Sequence, residues 1–184
     1  MAAPFPSPEI QAKVASEAAQ NFVDYYYDAL NRRNGLAPFY ASTSNKLTAA
    51  AVKPDISING NVCETVADFE HLLNTQGNPV HCTYTMLYDV GSFDAQPVNP
   101  NFVLGAPPSS SGTTDRKAIE SGDRISIAIQ VNGTVRYGKA GDEATTERAF
   151  NEAWLLVPHW EAWARNAPRG LRRWVVVSQN FRAL

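Results

Sequence analysis

Three long stretches in the second half of the chain alternate apolar and polar residues too regularly to be anything but strands. Ile125, Ile127, Ile129, Val131, Gly133, Val135 and Tyr137 hold one parity, and side chains of a strand alternate between two faces. Asn132-Gly133 is a hairpin signal by itself, yet the parity runs straight through it. The strand is therefore read as continuous, bent at Gly133, with the turn at Gly138-Lys139-Ala140-Gly141-Asp142. Phe150 to Trp160 and Trp174 to Arg182 give the next two strands, and Val80 to Val90 an earlier one.

Helices are confined to the first half. Ser7-Pro8 reads as an N-cap with a first-turn proline. Ile10, Val14, Ala18, Phe22, Tyr25/Tyr26 and Ala29 then follow at spacings of three and four, and Asn34-Gly35 closes the helix. Thr65 and Asp68 have capping-box spacing before Val66, Phe69, Leu72 and Leu73, which predict a second helix ending at Gly77. The segment at about 94–121 holds Pro97, Pro100, Pro107-Pro108 and Ser109-Ser110-Ser111-Gly112, and is expected to be a long loop. Helices first and antiparallel strands after predict an α+β fold, a bent antiparallel sheet with helices packed on one face, in a single domain. At 184 residues and 44% hydrophobic the chain can bury a full core.

Charge excludes several functions. A net charge of −2 does not attract nucleic acid in bulk. No apolar run approaches a membrane span. Met1-Ala2-Ala3-Pro4-Phe5-Pro6 lacks the regions of a secretory signal, so secretion is not expected. Cys63 and Cys82 form neither a CxxC nor a metal spacing with histidine, which favours reduced thiols over a disulfide and predicts no metal or cofactor.

Parity sorts the late strands into two faces. One holds Ile125, Ile127, Ile129, Val131, Phe150, Trp154, Leu156, Val175, Val177 and Phe181, and is expected beneath the helices. The other holds Ser126, Ala128, Gln130, Asn151, Ala153, Leu155, Val157, Val176, Ser178, Asn180 and Arg182. A solvated face would carry many Lys, Glu and Thr. This one is small, mixed and poor in charge, the composition of an interface core. Its candidate contact residues are Arg182, Asn180, Ser178, Asn151, Ala153, Leu155, Gln130 and Ala128, with Arg182 suited to a carboxylate on a partner.

Catalytic patterns are thin. Glu152 is the one acid with inward parity, and no acid or histidine pairs with it in the pattern; His81 and His159 fall on the opposite parity and His71 lies mid-helix. Asp24, Asp28 and Arg32 are spaced by four on a solvated helix face. Gly138-Lys139-Ala140-Gly141 lacks the length of a phosphate loop. Arg165, Arg169, Arg172 and Arg173, interleaved with Trp160, Trp163 and Trp174, fit single-stranded RNA, and fit equally a solubilising loop anchored by its tryptophans.

Phe22-Val23-Asp24-Tyr25-Tyr26-Tyr27-Asp28-Ala29-Leu30, then Arg33 and Phe39-Tyr40, resemble the opening of the nuclear-transport-factor-2-like family. Asn132 to Tyr137, Phe150 to Trp154 and Ser178 to Arg182 resemble its later strands. Within the family the chain is most similar to small subunits of heterodimeric mRNA export receptors. The resemblance implies a cone-like fold without catalysis and face-to-face sheet packing on a similar domain of a large subunit. It also implies passage through nuclear pores on Phe-Gly nucleoporins, RNA or pre-ribosomal cargo, and shuttling between nucleus and cytoplasm. It aligns Arg182 with an arginine that pairs with an acid of the large subunit. Two alternatives stay open: a small-molecule isomerase or dehydratase using Glu152, and a homodimeric Ran carrier. The second needs acids where this chain has Gly138 and Ala140.

Overall fold

The computed structural model describes residues 5–76, 84–107, 112–139 and 146–184. Helix α1 (Pro8–Asn31) starts where the Ser7 hydroxyl accepts from the Ile10 amide. It buries Ala15, Ala18, Ala19, Phe22, Val23, Tyr26, Tyr27, Ala29 and Leu30, one stripe at helical spacing. Its close differs from expectation: Arg33, not Asn34 or Gly35, takes the left-handed conformation at φ 56°, and the Asn34 amide donates to the Ala29 carbonyl. A short α2 (Asn45–Ala49) follows. Helix α3 (Val66–Gln76) opens on the expected box, with Thr65 and Asp68 each accepting from the other's amide at 2.9 and 3.1 Å.

Among the described residues six strands form one sheet: β1 (Asp55–Ile58), β2 (Asn61–Cys63), β3 (Tyr84–Asn99), β4 (Ser126–Lys139), β5 (Thr146–Pro158) and β6 (Trp174–Ala183), ordered β2-β1-β6-β5-β4-β3. The helices pack on one face of this bent sheet, over a core that joins α1 and α3 to Ile127, Ile129, Val131, Phe150, Trp154 and Phe181. β4 is continuous, as its parity predicts, and Gly133 faces Phe150 across the ladder. A Cβ at Gly133 would lie 2.2 Å from the Asp89 carbonyl oxygen and 2.7 Å from the Phe150 ring. Backbone and ring approach closely there because glycine leaves room.

Three expectations need correction. The sheet is not wholly antiparallel, because β1 pairs with β6 in parallel. β1 and β2 are too short to show a period in the sequence. The stretch read as a loop continues β3 to Asn99 and later forms helix α4 (Gly112–Glu120). Pro97 is tolerated because β3 is an edge strand, whose outer side asks for no ladder donor. Finally, the β5–β6 register slips by one residue after Leu155/Ser178, so that Leu156 meets Val176. A one-residue bulge inverts parity. Val176 therefore joins the main core, while Val175 is buried in a second cluster against which Val177 packs. His81, Cys82, Ser109 to Ser111 and most of the expected turn after Gly138 lie outside the described residues; Cys63 is a buried free thiol.

Candidate partner interface

The outward parity of β6, β5 and β4 assembles into rows. One row runs Asp55, Ser178, Leu155, Ala128, Gln96, and the next Ser57, Asn180, Ala153, Gln130, Asp94. A third runs Arg182, Asn151, Asn132, Ser92. All eight residues singled out for a partner thus meet on one surface. Arg182, Asn180 and Gln130 are exposed, and Ser178, Asn151, Ala153, Leu155 and Ala128 are half-buried.

The centre of this surface is an amide ladder. Gln130 Nε2 donates to Asn151 Oδ1 at 2.5 Å, and Asn151 Nδ2 donates to Asn132 Oδ1 at 2.8 Å. These side chains are pre-ordered, which lowers the entropy lost on docking. Acids stand at the ends of the rows, in Asp55 and Asp94. Arg182 Nη1 lies 3.4 Å from the Cβ position of Gly60, so its guanidinium extends beside the β1–β2 turn. Among the described residues no carboxylate lies within ion-pair distance of it. A cation beside ordered amides on a charge-poor face has the chemistry to receive a carboxylate. Asn132 shares this face, as its parity predicts, and Ser57 and Asp55 join it through β1, which gives no periodic signal in the sequence.

The inward face answers the catalytic alternative. Glu152 is 2% exposed, accepts from the Tyr27 hydroxyl, and accepts from Gln179 Nε2 at 2.8 Å. Tyr26, Phe22 and Trp154 pack ring on ring beside this network, Tyr26 to Trp154 at 4.6 Å between centroids. Burial pushes the Glu152 carboxyl up to about 7, against the two hydrogen bonds that favour its charged form. Four cavities open among the described residues with linings that do not include Glu152. His159, placed on the outward parity, is buried at 2% exposure near Glu161, its Nδ1 3.3 Å from the carboxylate, and burial holds its pKa down. Asp28 pairs with Arg32 at 2.8 Å, as their spacing predicts.

The basic segment is split by the fold. Arg165 and Arg169 are exposed, while the Arg172 guanidinium stands 3.7 Å from the Phe39 ring centroid and Arg173 covers Trp163 at 4.8 Å. Trp160 is buried, stacks on Phe102 and donates to the Leu104 carbonyl at 2.7 Å. The tryptophans act as anchors. Among the described residues no group of three or more His, Cys, Asp or Glu could hold a metal ion, and no helix is long and apolar enough to cross a membrane.

No protein-family model matches the chain, and no curated protein matches it. Solved structures do. A chain of the complex of a Sac3N peptide bound to Mex67:Mtr2 matches at TM-score 0.78 and 28% identity, over 92% of this chain and 99% of that one. A chain of the Chaetomium thermophilum Mex67 NTF2-like domain complexed with Mtr2 matches at TM-score 0.76 and 27% identity, over 92% and 98%. The structure of Mtr2 matches at TM-score 0.73 and 26% identity, over 92% and 99%. The chain resembles Mtr2. Its fold is the NTF2-like one, a bent open sheet with helices on one face. The likeness spans nearly the whole length of each match, so the strand-to-Asn99 extension and α4 lie within a chain of Mtr2-like size.

Proposed function

We propose that this chain is the non-catalytic small subunit of a heterodimeric mRNA export receptor. It docks by the outer face of its sheet on an NTF2-like domain of a larger, Mex67-type subunit. The observation that carries the reading is the charge-poor face of Ser178, Asn180, Asn151 and Gln130, beside an Arg182 without an acidic partner among the described residues. The likeness to Mtr2, solved in complex with Mex67, supports the partner's class. The same reading places the protein in the nucleus and at the pore, shuttling to the cytoplasm. There the heterodimer meets Phe-Gly nucleoporins and carries RNA or pre-ribosomal particles. Any direct RNA contact falls to Arg165 and Arg169, exposed arginines of the basic segment, since Arg172 and Arg173 lie over rings of the chain itself.

Solution molar mass tests the docking. Co-expressed with a Mex67-type NTF2-like domain, the chain is expected to form a one-to-one complex. Arg182→Glu should weaken it by at least about 2 kcal/mol, the cost of opposing a buried partner carboxylate, while the chain alone stays folded. An undiminished complex with Arg182→Glu, or a homodimer indifferent to the partner, would overturn the reading.

A further inference from the structure

A groove of about 760 Å³ opens on the helix side of the molecule, between residues 10–25 of α1 and residues 163–174. It shares no residue with the outer-face rows. Ile10, Val14 and Tyr25 line one wall, and Trp163, Leu171 and Trp174 the other. Ile10, Tyr25 and Leu171 are 36%, 58% and 36% exposed, which is costly for bulky apolar side chains gathered at one place.

The charges around this groove mostly cancel. Lys13 pairs with Glu17 at 4.0 Å, and the charge of Arg173 acts on the carboxyl of Asp123. Arg172 is left over. It is half-buried, held over the rings of Phe39 and Tyr25 at 3.7 and 5.3 Å, and has no acidic partner among the described residues. A guanidinium stacked on two rings keeps its in-plane N–H donors free, and these suit a carboxylate bidentately. We infer that the groove docks a short peptide segment of a partner protein, one that sets a bulky apolar side chain between the walls and a carboxylate on Arg172.

The same place is a poor seat for RNA. Trp163 and Trp174 meet edge to face at 86°, and Arg173 covers Trp163, so their rings are occupied with each other. Base stacking needs an open ring face.

Selection of a displayed random-peptide library on the intact chain tests the assignment. The expected outcome is enrichment of sequences that combine Leu, Phe or Trp with Asp or Glu. Their synthetic forms should bind roughly tenfold more weakly, or worse, to Arg172→Gln. Leu171→Ser, at an exposed position that leaves the Arg172 stack intact, should weaken them comparably, and Arg182→Glu should change nothing. No enrichment, enrichment of basic or uncharged sequences, or binding indifferent to both groove substitutions overturns the proposal. So does a single-stranded oligouridine that binds through Arg172 and Leu171 while selected peptides do not.

Discussion

Glu152 shows how far one side chain can be read from a pattern. Its inward parity was legible, because β5 alternates without interruption from Phe150 to Leu156. Its partners were not, since Tyr27 lies 125 residues away on α1 and Gln179 on β6. Its folded-state pKa, about 7, exceeds the unfolded value of 4.5. The folded chain therefore holds a proton that the unfolded chain has lost, and stability falls as pH rises from about 4.5 through about 7. The full difference is about 3 kcal/mol. In Glu152→Gln the amide can still donate to the Tyr27 oxygen and accept from Gln179. Urea unfolding of this variant should lack that decline, leaving it the more stable form above pH 7. His159, whose pKa is held down, titrates in both chains and cancels in the difference.

At the scale of elements, irregularities in the strands decide which residues share a surface. Gly133 was expected as a bend, and it is the point where β4 passes within contact of the Asp89 backbone and the Phe150 ring. Gly133→Ala must displace one of them, and neither is the free end of a flexible side chain. The expected cost is about 3 kcal/mol, the upper range for overpacking, read as a lower urea midpoint at unchanged m. The slip in β6 around Val177 was invisible in the sequence, because Val175, Val176 and Val177 are interchangeable under any apolar pattern. The expected strand ends at Val90, short of Pro97, for a related reason: a proline excludes a central strand but permits an edge, and strand order is a tertiary fact.

The whole molecule carries an outer sheet face and a helix-side groove with no residue in common, so occupying one does not block the other. A second small core, Ala41, Leu47, Val157, Trp160 and Val175 with Phe102 packed against it, fastens residues 101–106 to the end of the sheet. Phe102→Ala should remove its stacking on Trp160 at 6.2 Å. Amide exchange should then rise across residues 101–106, including the 2.8 Å bond from the Phe102 amide to the Arg124 carbonyl, with Ile127 and Ile129 still protected. Equal loosening of those strands would show instead that the two cores unfold together. The helix start at Ser7, the capping box, the continuity of β4 and the charge-poor outward face all follow from local residue order. Each is fixed by residues within a few positions of one another, where spacing and sterics leave one solution. Tertiary structure alone decided the parallel pairing of β1, the edge position of β3, the shift of Val176 inward and the closure of aromatic rings around Glu152. Those depend on which distant segments meet, and the free energy that selects them comes from burying apolar surface between segments that carry no local sign of each other.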